Sequence, residues 1–306
     1  MTRHAVTGAF GFSGRHIAAR LIADGHEVLN LTNHPPRPIS LGARPTATAP
    51  LVFDETVLAQ SLYGVDTLFN TYWVRFSRGT TTHASAVRNS LTLIEAARAA
   101  GVRRIVHVSI ANPDASSKLP YYSGKAEVEA ALTASGVGYA ILRPAVLFGD
   151  EPILVNNIAW LLRRFPIFGI PGSGCYRIQP IHVADLADLA VQFAAQSGNV
   201  VADAAGPETF DFTEFVGLIR GSVGSRSRIV HGPAGLALFA ATLLGWSLHD
   251  VLLTPDELDG LMADLLVSHS PPLGRTSFTA WLTEASPWLG RSYLSEVKRH
   301  FEPPNE

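Results

Sequence analysis

Tyr121 and Lys125 stand four residues apart in Tyr121-Tyr122-Ser123-Gly124-Lys125. On a helix that spacing puts both on one face, within reach of one ligand. A free phenol titrates at about 10, too high for acid–base work at neutral pH. A neighbouring ammonium favours the phenolate, and lowering the phenol by about three units corresponds to about 4 kcal/mol of differential stabilisation. So arranged, Tyr121 would exchange a proton with a carbonyl or alcohol oxygen. Lys125 would tune it and hold a ribose hydroxyl. Two solvent-facing residues of an ordinary helix would show the same spacing.

A second constellation opens the chain. Gly8-Ala9-Phe10-Gly11-Phe12-Ser13-Gly14 follows the strand-like run Arg3–Thr7 and leads into a helical pattern with Ile17, Ala18, Leu21 and Ile22 on one face. Gly8 permits a tight turn, Gly11 lets the backbone approach a pyrophosphate, and Gly14 allows close helix packing. The anion would sit against the helix N-terminus, with Phe10 and Phe12 lining the loop. Cofactor choice should rest after the second strand, where an acid binds a ribose 2′-hydroxyl and a base a 2′-phosphate. Here the chain reads Leu31-Thr32-Asn33-His34-Pro35-Pro36-Arg37. There is no acid to repel a phosphate, and Thr32, Asn33, His34 and Arg37 offer donors. NADP(H) is therefore expected over NAD(H).

These residues need a scaffold. Strand-like and helix-like runs alternate through the first half: strands at Glu27–Leu31, Leu51–Phe53, Asp66–Thr71, Arg104–Ser109 and Tyr139–Leu142, helices at Ala84–Ala100 and Ser123–Ser135. That rhythm predicts an α/β fold, a Rossmann-type doubly wound parallel sheet. Beyond residue 150 the prolines multiply and the loops lengthen. Residues 1–150 are read as the nucleotide-binding domain, with 180–204 returning to it. Residues 151–179 and 205–306 are read as a smaller, mostly helical C-terminal substrate lobe over the carboxyl ends of the strands. Thr71-Tyr72-Trp73, after the fourth strand, falls where ribose and nicotinamide would pass; its aromatics would stack on a ring, wall a pocket or simply pack.

Composition narrows the partners. The 306 residues are 47 % hydrophobic, with a net charge of −2 and no basic block, which argues for a small-molecule substrate and against nucleic acid. The single cysteine, Cys175, precludes an internal disulfide, and no zinc-type Cys/His spacing exists. With a strand starting in the first few residues and no room for a signal peptide, a cytoplasmic location is expected. The apolar run Ala234–Leu248 is too short to span a bilayer and is read as a buried or groove-lining helix rather than a membrane-contacting one.

In order and separation, the glycine loop and the Tyr/Lys pair resemble those of short-chain dehydrogenase/reductases. Nearly the whole chain is similar to the extended or atypical, epimerase/dehydratase-like members. Arg143-Pro144-Ala145-Val146-Leu147-Phe148-Gly149 resembles their strand-to-lobe junction, and Gln179-Pro180-Ile181-His182-Val183-Ala184-Asp185 a later family segment. Leu161–Pro166 and Leu253–Leu258 are similar to stretches of NmrA-like proteins and of the NADPH-binding accessory subunit of respiratory complex I. The resemblance implies hydride transfer with a carbonyl or alcohol, cofactor contacts from Pro144 and Thr71, an adenine contact from Asp54, and a homodimer. One departure is plain. Catalytic members end the fifth strand with two serines, and here the dipeptide is Ser109-Ile110. Isoleucine cannot donate a hydrogen bond, so Ser109 is the remaining candidate. Losing one oxyanion donor costs about 10²–10³-fold in rate. That departure keeps open a non-catalytic scaffold or redox-responsive regulator.

Overall fold

The computed structural model describes residues 2–34 and 45–300. In chain order the elements are β1 Arg3–Thr7, α1 Phe12–Ala23, β2 Glu27–Leu31, β3 Ala47–Ala49, α2 Glu55–Ser61, β4 Thr67–Asn70, α3 His83–Ala99, β5 Arg104–Val108, α4 Pro120–Ala134, β6 Gly138–Pro144, β7 Val146–Phe148 and α5 Ile153–Arg164. They continue with β8 Ile167–Pro171, β9 Arg177–Ile178, β10 Pro180–His182, α6 Val183–Ala195, β11 Val200–Ala204, β12 Phe210–Asp211, α7 Phe212–Ser222, β13 Arg228–Gly232, α8 Ala234–Leu248, α9 Pro255–Met262, α10 Phe278–Ala285 and α11 Glu296–His300.

The chain divides into two compact units. The first, residues 1–144 and 183–204, holds a seven-stranded sheet in the order β11-β6-β5-β4-β1-β2-β3. Every pairing in it is parallel. This is the doubly wound α/β architecture. Its apolar strands Ala5, Leu29, Leu68, Ile105 and Ile141 bury against Leu58 of α2, Leu93 and Ile94 of α3 and Val128 of α4. The chain runs outward from β1 through β2 and β3, then returns to β4 on the other side. The β1/β4 boundary is thus the switch point where such sheets bind ligands.

Two boundaries differ from those expected. The third strand is Ala47–Ala49, not Leu51–Phe53. The Asn33 side-chain amide clips the Leu51 backbone on both sides, donating to its carbonyl and accepting from its N–H, each at 2.9 Å. Asp54 then caps α2 by accepting from the Val57 N–H at 3.0 Å. The helix after β5 begins at Pro120 rather than Ser123, because proline at the first helical position forfeits no hydrogen bond.

The second unit, residues 145–182 and 205–306, combines helices with three two-stranded sheets, β7–β10, β9–β12 and β8–β13. An aromatic cluster of Phe148, Phe210, Phe215, Phe278 and Trp281 forms its core. Of the two readings of 234–248, the buried one is corrected: α8 forms, but only Gly245 in it is buried. A uniformly apolar run has no periodicity to reveal which face is covered. Among the described residues no helix is long and apolar enough to cross a membrane.

Candidate active site

The glycine loop is built by backbone contacts that leave no space for a side chain at Gly14. Gly8 takes a φ of +67°, its N–H donates to the Leu31 carbonyl at 2.9 Å, and its own carbonyl accepts from Gly11 at 2.7 Å. A Cβ on Gly14 would lie 2.2 Å from the Gly8 oxygen. Gly14 is therefore required by the loop's own carbonyl as α1 passes over it. No side chain caps the N-terminus of α1, which Gly11 precedes. Its positive end is available to an anion. Phe10 is buried and Phe12 half-buried, with the Arg15 guanidinium 5.5 Å from the centre of the Phe12 ring. The glycine cradle and the uncapped helix end fit a dinucleotide pyrophosphate. Gly14→Ala is expected to weaken NADPH binding roughly tenfold or more, read by calorimetry, because backbone cannot yield to the new methyl.

Polar side chains hold this loop from below; of these, sequence reading singled out Thr71 but not Thr7, Asn30, Asn70 or His107. Ala9 donates to Asn30 Oδ1 at 2.9 Å. Across the switch point the Thr71 N–H donates to Thr7 Oγ1 at 2.8 Å, and Thr71 Oγ1 donates to the Thr7 carbonyl at 2.6 Å. Asn70 Oδ1 accepts from the Tyr72 N–H, so its other amide atom must be the donor to His107 Nδ1 at 3.1 Å. That fixes the His107 proton on Nε2. Burial, followed by the charge of Lys125, holds His107 well below its ordinary pKa and therefore neutral. The signal lay in lone polar residues near the ends of apolar strands, Asn30, Asn70 and His107, where a ladder position carries an amide or imidazole instead of an aliphatic chain.

Lys125 is 2 % exposed, and its ammonium donates to the Val108 carbonyl at 2.7 Å. It also lies 4.3 Å from the centre of the Trp73 ring. Desolvation lowers its pKa to about 7, against a smaller raising effect from Glu129. Glu129, one turn further along α4, is itself held by Arg143 in a bidentate pair of 2.5–3.2 Å. Tyr121 is half-buried, its ring edge-on to Trp73 at 5.8 Å and to His83 at 5.7 Å. Trp73 thus touches both members of the pair. Gly124 makes room for it: a Cβ there would lie 3.2 Å from the indole and 3.0 Å from Val87. Ser109 is buried at the end of β5, and its hydroxyl has no partner among the described residues; Ile110 beside it is buried too.

The other residues singled out from sequence have these surroundings. Thr32 is buried and accepts from the His34 N–H at 3.1 Å, while the Asn33 amide is engaged with Leu51. Asp54 is exposed and spends one oxygen on the α2 cap. The Pro144 carbonyl accepts from the Ala111 N–H at 2.8 Å, fixing the end of β6 beside the Ser109-Ile110 turn. Arg37 lies outside the described residues. Among the described residues no cluster could hold a metal ion.

Comparison with known proteins agrees with this geometry. Residues 8–162 match the family described as NAD(P)H-binding. The mitochondrial NADH dehydrogenase [ubiquinone] 1 alpha subcomplex subunit 9 of Arabidopsis thaliana is 24 % identical over 86 % of this chain and 70 % of its own length. An uncharacterized protein of Mycobacterium tuberculosis is 30 % identical over 68 % of this chain, which spans only 22 % of that longer relative. Among solved structures, NADPH-dependent quinone oxidoreductase from Escherichia coli, complexed with NADPH, superposes with a TM-score of 0.70 at 22 % identity, covering 93 % of this chain and 98 % of that one. UDP-N-acetylglucosamine 4-epimerase from Bacillus cereus gives 0.70 at 15 % identity, covering 95 % and 98 %. With its glycine loop at the switch point of a doubly wound sheet and a family match over half its length, the chain belongs to the NAD(P)H-binding family.

Proposed function

We propose that this protein is an NADP(H)-preferring oxidoreductase acting on a small carbonyl or alcohol substrate, with Tyr121 as general acid/base. The observation that carries the reading is the grouping around Trp73. The indole touches the Tyr121 ring and the Lys125 ammonium, and Lys125 in turn bonds the Val108 carbonyl next to the unpartnered Ser109 hydroxyl. A buried hydroxyl without a partner is a donor in want of an acceptor, the role a substrate oxygen would fill. The bound nicotinamide supplies hydride chemistry. The chain's own residues do the rest: Gly8, Gly11 and Gly14 seat the pyrophosphate, Tyr121 moves the proton, Ser109 polarises the oxygen, and Lys125 supplies positive charge. The unit of residues 145–182 and 205–306 is assigned the choice of substrate. The exposed free thiol of Cys175 suits a reducing compartment such as the cytosol.

The NADP(H) preference rests on the acid-free Thr32–His34 segment. A calorimetric titration should give NADPH an affinity roughly tenfold or more above that of NADH. Equal affinities would remove the preference, and binding of neither would remove the nucleotide site.

A second reading, an NADPH-binding scaffold or redox-responsive regulator without turnover, is favoured by Ile110, which stands where catalytic relatives carry a hydroxyl. Ile110→Ser distinguishes the two. A large gain in reductase activity marks a weakened enzyme, and no gain marks a site put to another use.

A further inference from the structure

α8 has two apolar faces but only one is covered. Ala237, Leu238, Ala241, Leu244, Gly245 and Leu248 lie on the side where the helix packs on β8 and α9. Leu236, Phe239, Leu243 and Trp246, at helical spacing, line the opposite side and are 62 %, 60 %, 46 % and 73 % exposed. Thr242, on that open side, returns its hydroxyl to the Leu238 carbonyl at 2.8 Å. Beyond it the open side offers a partner only the exposed Ser247 hydroxyl and the Trp246 indole N–H, few polar groups beside a protein interface, whose apolar centre is ringed by polar contacts.

Cations gather on the β8–β13 side of α8, whereas Asp250 follows its C-terminus and Asp256, Glu257 and Asp259 lie on α9, packed against its covered face. From Phe215 to His249 the chain carries Arg220, Arg226 and Arg228 and no acidic residue. From Pro152 to Ala184 it carries Arg163, Arg164 and Arg177 and no acidic residue, Arg177 being paired with Asp264 at 3.1 Å. The two stretches meet where Arg228 of β13 pairs with Ile167 of β8, just before the α8 turn. Arg164, Arg226 and Arg228 are exposed there beside exposed Phe165, Ile167 and Val230. At 1.5 Å per residue a 15-residue helix is about 22 Å long, too short to span a bilayer but suited to lie in its plane. Trp246, in its last turn, is a residue type that favours the headgroup level.

We propose that the open face of α8, with the arginines flanking β8 and β13, docks this protein onto an anionic lipid surface. The helix lies in the interface and inserts Leu236, Phe239, Leu243 and Trp246, while Arg164, Arg226 and Arg228 contact headgroup phosphates. Apolar side chains and cations act together, so neither part alone gives firm attachment.

The test is flotation of the full chain with phosphatidylcholine vesicles, with and without about one-third phosphatidylglycerol. Wild type should float with the anionic vesicles, roughly tenfold less with neutral ones, and less again at high salt. Phe239→Gln/Trp246→Gln and Arg226→Glu/Arg228→Glu should each lower binding roughly tenfold or more with an unchanged melting temperature, since all four side chains are solvent-facing. Brominated lipid should quench wild-type tryptophan fluorescence and spare Trp246→Phe. Flotation with neither vesicle would overturn the proposal. So would binding indifferent to both double variants, or a dimer abolished by Phe239→Gln/Trp246→Gln in a protein that binds no vesicle, which would assign the face to a second copy.

Discussion

Tyr121→Phe is expected to lower kcat by about 10²–10⁴-fold with little change in NADPH affinity or melting temperature. In the proposed mechanism the phenol oxygen exchanges a proton with substrate. Removing it deletes general acid–base catalysis and leaves the ring that packs against Trp73 and His83. Nucleotide affinity should hold, because the pyrophosphate site is made by the glycine loop and the start of α1. Ser109→Ala removes the other oxygen-directed group and should cost about 10²–10³-fold, also in kcat more than in KM. Wild-type turnover in Tyr121→Phe would exclude the assigned role.

Lys125→Met is expected to act in opposite directions on activity and stability. Lys125 is fully enclosed, and desolvation lowers its pKa from 10.5 to about 7. A folded-state value below the unfolded one means that between about pH 7 and 10.5 the unfolded chain binds more protons than the native one. Wild-type stability therefore rises with pH through that window. Below it the native state carries the whole penalty of the buried ammonium, about 5 kcal/mol if the shift is converted directly. Methionine fills a similar volume without the charge, at the cost of the bond to Val108 and the ring contact. The variant should melt above wild type at about pH 6, with the difference shrinking by about pH 9. Its turnover should fall sharply, since the proposed site then loses its buried positive charge. A variant that melts lower at every pH would show that the Val108 bond outweighs the desolvation. The titration itself is accessible because the chain holds only three lysines, Lys118, Lys125 and Lys298. Isotopic methylation of the amines should show a signal titrating at about pH 7 that is lost in Lys125→Met.

Much of this arrangement was legible in the sequence, because it rests on local rules. Glycine spacing dictates the loop, and a 3.6-residue period dictates which helix face is buried, although the start of α4 at Pro120 was read three residues late, at Ser123. What was not legible depends on long-range packing. Trp73 follows β4 and Lys125 lies on α4, so nothing in either segment announces that an indole will cover the ammonium. Gly124, one residue before Lys125, reads as a helix weakness until Trp73 is seen to need the space. Leu51–Phe53 carried the stronger apolar signal, yet β3 formed at Ala47–Ala49, mostly exposed, because Asn33 and Asp54 claim the backbone that follows. α8 failed for the opposite reason: every position is apolar or small, so pattern alone could not say that half of it faces solvent.

The central claim is that the Tyr121, Lys125 and Ser109 grouping turns over a reduced nicotinamide. The most direct test follows loss of NADPH absorbance with purified wild type and Tyr121→Phe across a panel of aldehydes, ketones and quinones. The account predicts cofactor oxidation by wild type on at least one carbonyl class and a collapse of that rate in the variant at unchanged NADPH affinity. Firm NADPH binding with no oxidation on any panel member would contradict it and leave the protein a nucleotide-binding scaffold.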